Sequence, residues 1–300
     1  HELESNLLQG SFGGIGVDLA KDPLGFYILY PFPGSPATDS GIIEGDRLLK
    51  IDNLNATPET PLEEVQAALR GSVGEDVQIT TSRPPDYTES IRIITLEEIP
   101  IPSVVWHLDT SEPRLGIIQI NLIASTTQEE IINAIDDLHA RGAAAFVLDL
   151  RNNSGGLLDA GIEISRLFLT SGTIIEQQYR GQSPEIFSVD QPGELSQLPL
   201  VILVNHNTAS AAEIIAGSLQ ANHRAILIGA PTFGKDTIQL VFNLNDGSSL
   251  HVTAAHWWIP YLPEPLTNHG IQPDILIDPM TESDTDPFIQ AAIAHFFPTE

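Results

Sequence analysis

Two textures of hydrophobic and polar positions divide the chain. In the first, apolar runs of a few residues are broken by Gly, Pro and Asp, which predicts short strands over 13–17, 26–30, 47–51 and 76–80. Within it, residues 61–69 place apolar side chains at i, i+3 and i+7, with a proline suited to a first turn and Gly71 as a stop, so a helix is expected there. Pro100 and Pro102 then mark a boundary. In the second texture strands and helices alternate, as in α/β layer proteins. Residues 115–120 read as a strand, and 127–139 as a threonine-capped helix with acids in its first turn. Residues 143–150 form a nearly all-apolar strand, followed by a glycine turn and a helix over 157–169. The same order recurs as a strand at 200–204, a turn at 205–209 and a helix at 210–219. A further buried strand at 225–228 leads through a glycine-rich turn into an alternating strand at 237–244. The acidic stretch 281–286 reads as loop before a short terminal helix. No repeat at a solenoid period is present.

Composition narrows what such a chain does. Thirteen basic against 40 acidic residues leave a formal charge of −27, which repels phosphate backbones and anionic membrane surfaces. No apolar run approaches the ~18 residues of a spanning helix. The absence of cysteine excludes disulfides, thiol nucleophiles and thiolate metal sites. The chain begins at His1 without a basic and apolar leader, so residues 1–10 read as the remnant of a processed or trimmed N-terminus. Only three lysines occur, Lys21, Lys50 and Lys235.

Three segments of the second texture carry candidate chemistry. Ser210 stands where an apolar strand turns into a helix, so free backbone N–H groups and the positive helix end face whatever its hydroxyl attacks. A plain helix cap uses the same residue type in the same place. Lys235 follows 25 residues later, at the expected start of a strand, and a neutral lysine amine can take the proton of a serine hydroxyl. Gln239, four residues on, shares a face with Lys235 on such a strand and can orient its amine. The turn from Asp149 to Gly156 carries paired glycines that let backbone approach a ligand and free its N–H groups, a second donor opposite Ala211. Residues 229–236 also fit the phosphate-loop spacing, but Asp236 stands where a Ser or Thr should hold magnesium, and the next segment alternates like a strand. A Ser/His/Asp arrangement through His206 or His223 stays open, although no G-x-S-x-G elbow is present. His251 and His256, an odd number apart, read as facing opposite sides of a strand. In the first texture, Gly14, Ile15, Gly16 and Val17 form a glycine loop entering a strand, whose N–H groups can capture a peptide carboxylate.

Together these motifs resemble the C-terminal processing peptidases, or tail-specific proteases, over nearly the whole chain. The resemblance runs through Gly13-Gly14-Ile15-Gly16, Gly45-Asp46-Arg47 and Leu69-Arg70-Gly71. It continues through Asp149-Leu150-Arg151-Asn152-Asn153-Ser154-Gly155-Gly156, Ala209-Ser210-Ala211 and Thr232-Phe233-Gly234-Lys235. It implies a PDZ domain over 11–98 and a Ser/Lys protease core over 99–300, that is, an α/β, ClpP/crotonase-like core with a small α+β PDZ domain. By it Ser210 corresponds to the nucleophile, Lys235 to the general base and Gln239 to the residue that positions the lysine. The N–H groups of Gly156 and Ala211 correspond to the oxyanion hole. The implied activity is a serine endopeptidase that captures the C-terminal tail of a protein substrate and needs neither metal nor organic cofactor. Further implications are a monomer or homodimer, and an extracytoplasmic site such as periplasm, cell envelope, exterior or thylakoid lumen. Asp236, where the family often has glycine, opposes a neutral Lys235 if it points inward; strand alternation is expected to turn it away. The rival from another class is a catalytically silent peptide-binding module with the same fold.

Overall fold

The computed structural model describes residues 8, 10–244, 249–262, 266, 269–277 and 285–298. Contacts divide the chain into two units, His1–Ile101 and Pro102–Glu300.

The first unit runs β1 (Ser11–Gly14), β2 (Val17–Lys21), β3 (Tyr27–Pro31), α1 (Pro36–Asp39), β4 (Arg47–Ile51), β5 (Leu54–Asn55), α2 (Leu62–Ala68), β6 (Asp76–Arg83), β7 (Thr88–Thr95) and β8 (Glu97–Pro100). Its main sheet has the order β2-β3-β4-β6-β7, with β5 beside β4, and β1 pairs separately with β8. Tyr27, Leu29, Leu48, Ile51, Val65 and Ile79 fill its core. The expected helix forms with Pro61 as its N-cap. β2 lies at a sheet edge, because among the described residues only β3 pairs with it.

The second unit runs β9 (Val104–Leu108), β10 (Leu115–Ile120), α3 (Thr127–Ala140), β11 (Ala145–Asp149), α4 (Leu158–Phe168), β12 (Thr173–Tyr179), β13 (Glu185–Ser188), β14 (Leu200–Val204), α5 (Ala211–Ala221), β15 (Ile226–Gly229), β16 (Thr237–Asn243), β17 (Ser249–Trp258), β18 (Ile275–Leu276) and α6 (Pro287–Phe296). Its central sheet has the order β18-β15-β14-β11-β10-β9, with β10, β11, β14, β15 and β18 parallel and β9 antiparallel. Both faces of this sheet are covered, which is why its strands are apolar without alternation. Phe146, Leu148, Leu200, Ile202 and Val204 point into one hydrophobic cluster together with residues of α3, α4 and α5. Ala145, Val147, Val201 and Leu203 point into another, with Phe288, Ile289 and Ala292 of α6. The second sheet, β13-β12-β17-β16, is antiparallel with β16 at its edge.

Strand 47–51, strand 115–120 and strand 200–204 form where the sequence predicts them. Two local expectations do not hold. Lys235 lies ahead of its strand, which begins at Thr237, so alternation does not relate its direction to that of Asp236 or Gln239. The pairing of β16 with β17 also slips by one residue between Ile238 and Gln239, so alternation breaks between His251 and His256.

Candidate active site

Parallel sheets present their functional groups outside the carboxyl ends of their strands. Three such ends meet here: β11 ends at Asp149, β14 at Val204 and β15 at Gly229. The turns after the first two are stitched together by asparagine and threonine side chains. Asn152 donates its N–H to Asn205 Oδ1 at 3.0 Å, and its own Oδ1 accepts from Asn205 Nδ2 and Asn207 Nδ2, each at 3.0 Å. Thr208 Oγ1 donates to the Leu150 carbonyl at 2.8 Å, and the Ala209 N–H to the Asn153 carbonyl at 2.9 Å. The buried Asn153 side chain spans from the Ile120 carbonyl to the Gly155 N–H, both at 2.8 Å. Each bond of this kind is worth only about 1 kcal/mol net, but leaving the buried Asn153 or Thr208 side chain unpaired costs more.

This lattice holds Ser210 as the N-cap of α5 with φ +57° and ψ −122°. Such a backbone is strained by about 1–3 kcal/mol for a residue with a side chain, and strain of this kind collects at functional turns. Against it packs the glycine pair. Gly155 has φ +102°, and a Cβ there would lie 2.8 Å from Ser210 Cβ and 3.0 Å from the Ala211 nitrogen. Gly156 has φ +151°, and its Cβ would lie 2.0 Å from the Ile123 carbonyl oxygen. Both positions therefore require glycine. Among the described residues, the N–H groups of Gly156 and Ala211 donate to no protein acceptor. Two free donors thus border Ser210, one from each turn.

Lys235 is joined to the same turn through Glu213, a residue the motif reading passed over. Glu213 is 0% exposed. Its Oε1 accepts from Thr232 Oγ1 at 2.6 Å and the Gly234 N–H at 2.7 Å; its Oε2 accepts from the Ser210 N–H at 2.9 Å and the Lys235 N–H at 3.0 Å. The backbone nitrogens of Ser210 and Lys235 therefore meet at one oxygen, no farther apart than those two bonds laid end to end. Thr232 Oγ1 also accepts the Ile271 N–H at 2.7 Å, so its proton points to Glu213 and all four neighbours are donors. Burial pushes the Glu213 carboxyl above its ordinary value, and the four donors oppose that without cancelling it. Its sequence signal was the S-x-x-E spacing of a capping box, Ser210 to Glu213.

The other expected residues fall as follows. Lys235 is half-buried in the loop before β16, and Gln239 is exposed on that edge strand. Asp236 Oδ2 lies 3.9 Å from His256 Nδ1, and its carbonyl accepts the Trp257 N–H at 2.9 Å. A strand rather than a helix follows Lys235, so the phosphate-loop reading lacks its helix N-terminus. His223 sits beyond the C-terminal end of α5 while Ser210 caps its N-terminal end, so the helix length holds them apart. Arg151 bonds Asp149 at 2.6 Å and reaches Asp286, the N-cap of α6, at 2.9 Å, tying the glycine turn to the last helix.

In the first unit, Gly14 ends β1, Ile15 is buried, Gly16 has φ +73° and Val17 opens the edge strand β2. A Cβ on Gly16 would lie 2.4 Å from Ser35 Cβ. The Ile15 and Gly16 carbonyls accept from Ala37 and Phe32 at 2.9 Å, while the Gly16 N–H has no protein acceptor among the described residues. A free loop N–H beside an open strand edge suits a peptide terminus.

A strained serine turn joined through one buried carboxylate to a lysine loop, on this mixed α/β core, points to the class of serine-type peptidases. The profile of peptidase family S41 matches residues 114–277, and that of the PDZ domain residues 27–83. The carboxyl-terminal-processing protease of Picosynechococcus is 40% identical over 95% of this chain and 70% of its own length. That of Synechocystis is 36% identical over 90% of this chain and 63% of its own, and Bacillus subtilis CtpA is 34% identical over 83% and 53%. The solved photosystem II D1 C-terminal processing protease matches with a TM-score of 0.52 and 29% identity, covering 93% of this chain and 75% of that one. The tricorn protease shares the fold, with a TM-score of 0.50 at 17% identity over 95% of this chain and 29% of its own. The chain belongs to peptidase family S41 and carries a PDZ domain. It spans well under two thirds of some of these relatives, 53% in the case of B. subtilis. Among its described residues no helix is long and apolar enough to cross a membrane.

Proposed function

We propose that this chain is an endopeptidase whose PDZ domain, over 11–98, binds the C-terminal tail of a protein substrate, and whose core, over 99–300, cleaves that substrate at Ser210. The observation that carries the reading is the pair of free N–H donors, Gly156 and Ala211, on either side of a serine whose backbone shares the Glu213 carboxylate with Lys235. In the first step the Ser210 hydroxyl oxygen bonds to the peptide carbonyl carbon while the Lys235 amine, as general base, takes its proton. The oxygen that becomes negative is received by the two N–H groups, which need no reorientation. The C–N bond then breaks, the lysine returns the proton to the leaving amine, and water attacks the acyl-serine with the same lysine as base. Gln239 orients the lysine amine once substrate lies along the strand. Neither metal nor organic cofactor enters this scheme. The printed names of the relatives support tail processing as the task. The names of three further relatives place them in chloroplasts, which fits a setting outside the cytoplasm, and the working unit is read as a monomer or homodimer.

Ser210→Ala and Lys235→Ala are each expected to abolish cleavage of an unfolded protein with an apolar tail while the melting temperature stays near that of the parent. Full activity in either variant overturns the dyad. Calorimetric binding of a tail peptide without any cleavage by the unaltered chain would return the silent binding module instead.

A further inference from the structure

The β16–β17 hairpin leaves its own sheet. β12 pairs with β17 only from Ala255 to Trp258, so β16 from Gln239 to Asn243 and its partner residues 249–253 have no third strand among the described residues. A two-stranded ribbon is marginal in water on its own. On one face of it Leu240 opposes Val252 and Phe242 opposes Leu250, and Leu244 follows one residue past the end of β16. These five side chains, Leu240, Val252, Phe242, Leu250 and Leu244, are 46, 41, 50, 51 and 47% exposed. Exposed edges are normally blunted by Lys, Pro or a charge, yet residues 237–244 and 249–254 contain no Asp, Glu, Lys, Arg or Pro. The outer edge of β16 has no partner strand among the described residues.

We propose that this face and edge form a docking surface for the substrate chain itself: an extended, uncharged, apolar stretch of polypeptide that adds a strand to β16 and lays alternate side chains on Leu240, Phe242 and Leu244. The occupant is named by continuity with the candidate active site, so the proposal rests on the peptidase reading. β16 begins two residues after Lys235, and the Trp257 N–H on the Asp236 carbonyl fixes the root of the hairpin to the lysine loop. A chain paired along β16 therefore leads to Lys235. A second copy fits less well, because it brings a second charge of −27 to the surface. An apolar face beside a free edge joins the two parts of strand-addition recognition: backbone bonds for affinity and side-chain contacts for choice of sequence.

Two measurements on the full 300-residue chain test this. In the first, a benzophenone amino acid replaces Phe242 in the Ser210→Ala chain, which is irradiated with an unfolded protein ending in an apolar tail. A cross-link to that protein, lost when its apolar stretch is replaced by Ser and Asn, is expected. A cross-link to a second copy, or none to the unfolded protein, overturns the proposal whether or not the unaltered chain is an active peptidase. In the second, Leu240→Ser with Phe242→Ser is expected to raise KM for the unfolded protein about 10-fold or more. Acylation of Ser210 by a small ester, and the melting temperature, stay within experimental scatter of the parent. An unchanged KM, or an acylation rate that falls in step with it, overturns the docking role. Failure of the parent to acylate at all sinks the peptidase reading alone and leaves the cross-link to decide on the surface.

Discussion

The two arms of the site are built differently. The serine arm grows from the middle of a sheet covered on both faces, and its turn is fixed by side chains from neighbouring turns, two obligatory glycines and the Glu213 carboxylate. The lysine arm grows from the edge of a second sheet, where Lys235 is held by its backbone and, among the described residues, the strand that follows is paired on one side only. A reacting serine and its oxyanion donors gain most from fixed geometry, because their task is to match a transition state. A strand that receives a variable polypeptide gains from an open edge. On the proposed reading, rigidity lies where charge develops, and openness lies where sequence must vary.

Substitutions on the serine arm should therefore cost more than those on the lysine arm. Gly156→Ala is expected to be the most severe short of the dyad itself: its Cβ meets the Ile123 carbonyl at 2.0 Å, so the turn must move and take an oxyanion donor with it. A fall in turnover of about 10³-fold, with a loss of stability on the order of 3 kcal/mol, should appear in steady-state kinetics and urea melts. Retained turnover would remove Gly156 from the oxyanion hole.

Glu213→Gln comes next, because an amide directs N–H groups at donors where the carboxylate accepted from four of them. The shared anchor of Ser210 and Lys235 is weakened, and displacement of reacting groups by even an ångström predicts about 10²-fold in turnover. Small-ester acylation should fall along with protein cleavage, unlike in the hairpin variant. The same residue has a pH signature. Its folded-state pKa is raised by burial, so the stability it contributes is complete below the ordinary value of 4.5 and is lost as pH rises through the raised value. Denaturation from pH 4 upward should show this loss in the parent and not in Glu213→Gln, and parallel curves would remove Glu213 as its source.

On the lysine arm, Gln239→Ala is expected to slow turnover only about 10-fold with no change in melting, since the side chain is exposed and its proposed role is exercised through the lysine. The smallest effect should come from Asp286→Ala. It removes the α6 cap and one partner of Arg151, about 1 kcal/mol of stability by urea titration, and barely touches turnover because Asp149 still holds the guanidinium. A large loss of activity there would mean that α6 supports the glycine turn more than its bonds indicate.

Much of this was legible along the chain, for reasons that differ by element. Strands 115–120 and 200–204 announce themselves because a doubly covered parallel strand has no polar face to interrupt it. The glycine pair and Ser210 could be picked out because their turn needs residue types that little else needs. The second sheet was hard to read: β12, β13 and β17 carry mixed polar and apolar residues that make sense only against one another. Alternation does not assign faces here, since Lys235 precedes its strand and a one-residue slip in the ladder breaks the alternation that would relate His251 to His256.

The sequence by itself determined what is chemically local: two textures and hence two units, no thiol chemistry, a serine at a strand-to-helix turn, a single lysine beyond residue 101, and glycines where a Cβ cannot go. Those properties depend on composition and on neighbours within a few positions. Only the tertiary structure decided that one buried carboxylate joins Ser210 to Lys235, that the N–H groups of Gly156 and Ala211 find no acceptor among the described residues, and that an apolar hairpin face is exposed on the strand after the lysine. Each of these is a relation between segments far apart in the chain, fixed when hydrogen bonds are completed in three dimensions and invisible to any periodicity along one.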